Sequence, residues 1–76
     1  MNPERLILER LALSYPRMTA EEVLRSEINN IGVKMSLTDL RHHLKNLETK
    51  GQAIVINTED YTHLKITTSG LARIAE

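Results

Sequence analysis

The chain has 76 residues, with ten basic and ten acidic side chains, so its formal net charge is zero. This length predicts one small domain, residues 1–76, built around one core. Hydrophobic residues make up 41% of the chain and charged residues 26%, which is typical of folded soluble proteins and too apolar for a disordered one. Phe and Trp are absent, so Leu, Ile and Val must form the core.

The absence of cysteine excludes a disulfide framework, a thiolate zinc site and a thiol nucleophile. The opening residues, MNPERLILER, contain two acids and two arginines instead of a long apolar stretch. They predict neither a signal peptide nor a membrane span, and a cytoplasmic protein is therefore expected.

A first helix is predicted to begin at Asn2, which can cap it, with Pro3 and Glu4 suited to the first turn. Pro16 should end this helix, because the residue before a proline is disfavoured in helical backbone. At 100° per residue one broad face is apolar and should meet the core. Its members are Ile7, Leu8, Leu11, Ala12 and Tyr15.

A second, short helix is predicted over about 20–29. Thr19 and Glu22 have the spacing of a capping box, with Thr19 as N-cap. The apolar positions of this helix, expected to be buried, are Val23, Leu24 and Ile28. Asn29-Asn30-Ile31-Gly32 should end it, since Asn and Gly tolerate left-handed backbone.

The third helix carries the strongest signal in the chain. Ser36 is a good N-cap and Gly51 a good residue for the position just after the helix. Between them the leucines fall at i, i+3, i+7 and i+10, which is one continuous stripe on a helix. These are Leu37, Leu40, Leu44 and Leu47.

After Gly51 the apolar residues alternate with a period of two. Residues 52–57 and 63–67 are rich in β-branched side chains and predict two strands, and the polar residues between them predict a hairpin. Thr67 or Thr68 should then cap a last short helix, in which Leu71, Ile74 and Ala75 share a face.

Two segments carry a resemblance to a known family. LRHHLKNLETKGQAIV resembles the recognition helix and first wing strand of winged helix-turn-helix proteins, and LKITTSGLARIAE resembles the second wing strand and the start of the next helix. The resemblance implies an α+β, mainly α, fold: a three-helix winged helix-turn-helix with a two-stranded β wing and a short C-terminal helix. It also implies a small bacterial or phage-type DNA-binding regulator, usually dimeric, with helix 36–50 in the major groove and hairpin 52–67 as the wing.

The outward face of the third helix is the predicted contact surface for double-stranded DNA. Arg and Lys can pair with guanine or phosphate, Asn can bond to adenine, and His and Thr can donate to bases or phosphates. A solvated helix face would have a similar composition, and this remains the alternative for each residue. The predicted contacts are Lys34, Thr38, Arg41, His42, Lys45, Asn46 and Lys50.

A protein-binding function is the competing prediction. The neutral net charge and the acids Glu59 and Asp60, at the predicted wing tip, favour a winged helix used as an interaction or assembly module without significant DNA binding. Residues 34–50, with four Lys or Arg against two acids, favour DNA.

The adjacent histidines do not predict a metal site, because His42 and His43 point about 100° apart whereas helical ligands usually lie three or four residues apart. His42 should face outward and His43 should lie at the margin of the core in a structural role. No catalytic constellation can be assembled from the sequence. We therefore expect a non-catalytic protein without cofactor, metal or small-molecule substrate.

The first helix has a second apolar feature. Leu6 and Leu13 lie one heptad apart, on the side opposite the main apolar face. A helix that is apolar on two sides is buried on both or forms an interface. We predict that Leu6 and Leu13 form a homodimer interface; the alternative is that the C-terminal helix of the same chain covers them.

Overall fold

The structure is a computed structural model that describes residues 2–75. In this range it contains four helices and one antiparallel sheet of three strands, so the predicted α+β, mainly helical class is confirmed. In chain order the elements are α1 (Pro3–Ala12), β1 (Thr19–Ala20), α2 (Glu21–Asn30), α3 (Leu37–Thr49), β2 (Ala53–Asn57), β3 (Thr62–Ile66) and α4 (Thr68–Ile74). The predicted domain limits, Met1 and Glu76, lie outside the described residues.

Helix α1 begins as predicted and ends earlier. The Asn2 side chain accepts hydrogen bonds from the backbone N–H groups of Glu4 and Arg5, at 3.0 and 3.3 Å. After Ala12 the backbone N–H groups of residues 13–15 bond to carbonyls three residues back, so the chain tightens into turns before Pro16. Tyr15 therefore leaves the apolar face and is 41% exposed, which corrects the prediction that it lies on the core side.

The predicted capping box at Thr19 is wrong. Thr19 belongs to β1 and pairs with Leu64 of β3, and its buried hydroxyl has no hydrogen-bond partner. The N-cap position of α2 is Ala20, which offers no side-chain cap. Leu24 and Ile28 of α2 are buried as predicted, but Val23 is half exposed because the buried stripe of α2 runs through Glu21, Leu24 and Ile28.

The sheet has the strand order β1-β3-β2, so β3 is central. The predicted two-stranded wing is thus part of a three-stranded sheet. Val55 lies opposite Leu64 and Ile54 opposite Lys65 in the β2–β3 register. Since side chains alternate between the faces of a strand, Ala53, Leu64 and Ile66 are buried.

Helix α3 agrees with the sequence prediction at both ends. The Ser36 hydroxyl accepts from the Asp39 N–H at 3.1 Å, and Gly51 follows the helix with a φ of +73°. Leu40, Leu44 and Leu47 are buried, and Leu37 is half-buried at the start of the stripe.

The core is made of aliphatic side chains from α1, α2, α3 and the sheet. Its fully buried large side chains are Ile7, Leu8, Leu11, Leu24, Ile28, Leu40, Leu47, Leu64 and Ile66. Thr67 caps α4 by accepting from the Gly70 N–H at 3.1 Å, and α4 lies along α1. None of the described helices has the length and apolar character needed to cross a membrane.

Candidate nucleic-acid interface

Four exposed polar side chains of α3 are predicted DNA contacts. The buried leucine stripe fixes the rotation of the helix, and it leaves Thr38, Arg41, His42 and Lys45 in solvent. Thr38 and Lys45 each lie three or four residues from Arg41 and His42, so the side chains are neighbours on the helix surface. The structure thus brings together four of the seven predicted contacts on one face.

Arg41 is held by a carboxylate of another helix. Its Nε donates to Oε2 of Glu21 at 3.2 Å and its Nη2 donates to Oε1 at 3.1 Å, a two-point contact. The Glu21 side chain is only 10% exposed, whereas that of Arg41 is 61% exposed. The hydrogen bond and the charge of Glu21 raise the pKa of Arg41 above its ordinary value. The pair therefore joins a buried acid to an arginine that still reaches solvent.

Asn46 and Lys50, two further predicted contacts, turn toward Glu4 of α1. Lys50 Nζ donates to Oε1 of Glu4 at 3.1 Å, and Asn46 Nδ2 lies 3.5 Å from Oε2. Arg73 of α4 lies 3.6 Å from the same carboxylate. We call Glu4, Asn46, Lys50 and Arg73 the Glu4 cluster; it joins α1, α3 and α4.

The carboxylate of Glu4 is 14% exposed and is ionised more readily than an ordinary Glu. Burial acts to raise its pKa, but the hydrogen bond and charge of Lys50, with contributions from Asn46 and Arg73, outweigh this effect. The net result is a pKa of Glu4 below its ordinary value. The charge on Lys50 is accordingly countered within the protein.

The two histidines differ in exposure as predicted. His42 is exposed and His43 is half-buried, with their ring centroids 5.8 Å apart. His43 Nδ1 lies 3.6 Å from Oε2 of Glu4, which is too long for a hydrogen bond. His43 thus sits at the margin of the core next to α1. Within residues 2–75 no group of three His, Asp or Glu side chains is arranged to hold a metal ion.

An open groove of about 440 Å³ separates α3 from the sheet. Arg41 and Lys45 lie along one side of it, and Glu21 and Glu48 place negative charge beside them. The remaining lining residues are Leu44, Val55, Asn57 and Thr62. Lys34, the seventh predicted contact, is exposed in the loop before α3.

The hairpin presents acids at its tip and apolar side chains on its outer face. Glu59 and Asp60 are exposed in a turn closed by Thr58, whose hydroxyl bonds to the Tyr61 carbonyl at 3.0 Å. Ile54 and Ile56 are each almost half exposed and Tyr61 is 65% exposed. This outer face of the sheet lies on the side away from the core and also carries His63 and Lys65, which pair with Ile56 and Ile54.

Leu6 and Leu13 have different surroundings. Leu6 is half-buried and packs against the core, whereas Leu13 is 70% exposed. Both line a shallow groove with Ile31 and Ile74. Helix α4 contributes Ile74 and is fastened to α1 by Arg5, which donates to the Arg73 and Ile74 carbonyls. The alternative prediction was that the C-terminal helix of the same chain covers both leucines. This covering reaches Leu6 and leaves Leu13 exposed.

Sequence reasoning did not identify Glu4 and Glu21 as parts of this surface. Each carboxylate meets α3 from a distant part of the chain, 20 residues away for Glu21 and 46 for the contact of Glu4 with Lys50. The one local signal was the position of both acids in the first turn of a helix, which the helix dipole alone explains.

Comparison with known proteins adds no identification. Scans of protein-family models, curated proteins and solved structures each found no match to the chain.

Proposed function

We propose that this protein is a sequence-reading DNA-binding module and transcription regulator of the winged helix-turn-helix type, with α3 in the major groove and the hairpin as wing. The element order, the strongly amphipathic α3 and the hairpin that follows it support this proposal. The observation that carries it is the cluster of Thr38, Arg41, His42 and Lys45. These four side chains share one exposed helix face and offer donors suited to bases and phosphates.

Binding should depend on few charges. Lys50 is engaged by Glu4 and Arg41 by Glu21, so Lys45 and Lys34 supply the cationic contacts to phosphate. Acids at the wing tip would be repelled by a DNA backbone, so the hairpin should contact DNA through a side rather than through Glu59 and Asp60. The proposed module therefore depends more on base contacts than on net charge.

An NMR titration with short duplex DNA tests this assignment. The changes in backbone amide chemical shift on DNA binding should be largest for residues 34–46. They should be small for α1 and for the outer face of the sheet. Shifts that spread evenly over the molecule, or that avoid α3, would remove the proposal.

The second candidate is a protein-binding winged helix without DNA affinity. The exposed Ile54, Ile56 and Tyr61 on the outer face of the sheet favour it, because apolar side chains grouped at a surface are typical of protein contacts. A double variant, Ile54→Ser with Ile56→Ser, should leave DNA binding unchanged if the first candidate holds. The second candidate instead predicts that neither the wild type nor this variant binds duplex DNA.

A homodimer through α1 remains part of the proposal. Leu13 is the most exposed apolar residue of the groove that includes Leu6, Ile31 and Ile74, and a two-fold interface would cover it. Sedimentation should give a dimer for the wild type and a monomer for Leu13→Glu. Val23→Glu is the matched control, since Val23 is also half exposed but lies outside this groove. A monomeric wild type would contradict the dimer.

A further inference from the structure

The Glu21–Arg41 pair has a geometry that leaves a defined part of the guanidinium free. Arginine has five N–H donors, one on Nε and two on each Nη. Glu21 takes the Nε donor and one donor of Nη2, which form one edge of the planar group. The remaining donors, two on Nη1 and one on Nη2, have no partner among residues 2–75, and one donor of each nitrogen together form a fork at the end of the group. A two-donor fork is thus directed away from Glu21.

We propose that Glu21 is a positioning residue that fixes Arg41 for reading a guanine in the target site. This inference rests on the proposed DNA binding and deepens it by naming one base and the residue that selects it. The N7 and O6 atoms of guanine are a pair of acceptors in the major groove, and they match the free fork of Arg41.

The burial of Glu21 supports a positioning role. Its side chain is 10% exposed at the first residue of α2, so it cannot follow Arg41 if that side chain moves. A long, exposed arginine would otherwise lose considerable rotamer freedom when it binds a base. Holding the side chain in advance reduces that cost, as expected for a preorganised contact.

The charge of the pair supports specificity over general affinity. Glu21 and Arg41 neutralise each other at 3.1 Å, so together they add little attraction toward phosphate. The free donors nevertheless keep their direction. The pair should therefore contribute to the choice of sequence and contribute little to binding of arbitrary DNA.

The test starts with a preferred duplex selected from a random pool by the wild-type protein. Replacing the critical guanine by 7-deazaguanine removes N7 and leaves O6. The wild type should lose roughly tenfold in affinity from this replacement. Arg41→Ala should show no such loss, and Glu21→Gln should show a loss of about threefold because its amide cannot accept from both Arg41 donors.

Glu22→Gln is the matched control. Glu22 is the next residue of α2 and is exposed, so its substitution removes the same charge without touching Arg41. Both Gln variants should bind unrelated duplexes slightly more tightly, because each removes one negative charge. Of these two variants, only Glu21→Gln should discriminate less strongly than the wild type between guanine and 7-deazaguanine.

Three results would overturn the inference. The first is a selected site in which no guanine depends on its N7 atom for binding. The second is equal discrimination between guanine and 7-deazaguanine by Glu21→Gln and the wild type. The third is an equal loss of affinity for all sequences in Arg41→Ala, which would mean that Arg41 contacts phosphate. In each of these cases DNA binding itself could stand. A wild type that binds no DNA would instead remove the proposed function and this inference together. Arg41→Lys keeps the charge but lacks the planar pair of donors that matches guanine. It should bind arbitrary DNA normally, so it separates lost base readout from a folding defect.

Discussion

Two largely buried carboxylates contact α3 from other helices and differ in the number of donors that they hold. Glu4 gathers Lys50, Asn46 and Arg73 around one carboxylate and so ties them to α1, although the Lys50 side chain is still 51% exposed. Glu21 holds only Arg41, whose side chain remains 61% exposed. Glu4 thus shares its charge among several donors of two elements, whereas Glu21 holds one arginine at two points.

This contrast divides the polar face of α3 into two parts. The part near the N-terminus, with Thr38, Arg41, His42 and Lys45, faces solvent. The part near the C-terminus, with Asn46 and Lys50, contributes to the packing of α1 and α4 through the Glu4 cluster. Substitutions should therefore affect stability at one end of the helix and binding at the other.

The largest expected effect on stability comes from Gly70→Ala, which disturbs the Glu4 cluster indirectly through α4. A Cβ on Gly70 would collide with the Gln52 carbonyl oxygen and the Ile66 side chain, so α4 would have to move and take Arg73 with it. We expect the free energy of unfolding to fall by about 2–3 kcal/mol in chemical denaturation. Ser69→Ala, at the exposed neighbouring position, is the control. Equal stability of the two variants would show that α4 is not packed as described.

Glu4→Gln removes the centre of the cluster. At pH 7 we expect a loss of about 1–2 kcal/mol in the free energy of unfolding, because a largely buried set of donors loses its charged acceptor. Glu9→Gln is the control, since Glu9 forms only an exposed pair with Arg5 at 3.8 Å.

The difference between wild type and Glu4→Gln should also depend on pH. The pKa of Glu4 is lowered in the folded state, so its stabilising effect is complete above the ordinary value of 4.5 and is lost as the pH falls through the lower folded pKa. Denaturation curves should therefore show a constant difference from pH 7 to about 5.5 that shrinks below pH 4.5. A difference that grew in acid would contradict the described environment of Glu4.

His42→Ala and Asn46→Ala should separate the two parts of α3. His42 is exposed, so its loss should relax sequence preference and leave the melting temperature unchanged. Asn46 is half-buried and lies 3.5 Å from Glu4, so its loss should lower the melting temperature and affect sequence preference less. Competition binding with single-base variants of the selected site, together with thermal melts, measures both quantities. The reverse pattern would mean that the division of α3 is wrong.

The smallest effects are expected from single lysines. Lys45→Ala should weaken binding to all sequences by a similar factor and reduce the salt slope by about one. Lys50→Ala should change binding less, because its Nζ lies 3.1 Å from Glu4, and should cost about 0.5 kcal/mol of stability. Salt titrations of both variants provide the comparison. A larger effect on binding from Lys50 would show that DNA displaces Glu4.

The sequence predicted the parts of the fold that depend on local signals. Helix α3 has a capping serine, an unbroken leucine stripe and a terminal glycine, so its limits and its buried face followed directly. The outward position of His42 and the marginal position of His43 came from the same stripe. The hairpin could also be predicted from the sequence, because the apolar residues alternate with a period of two in both strand segments.

Features that depend on distant partners could not be predicted in this way. Strand β1 has two residues, too few to show a period, and exists because Thr19 and Ala20 pair with β3 more than forty residues later. The same limit applies to the site. Arg41 was recognised as a contact candidate, but nothing near it in the sequence indicates Glu21.

A salt series with mixed duplex DNA tests whether the exposed part of α3 gives the protein affinity for DNA. We expect a dissociation constant in the micromolar range or tighter at about 50 mM salt, with affinity that falls as the salt concentration rises. Absence of binding by the wild-type protein at about 50 mM salt would contradict this expectation.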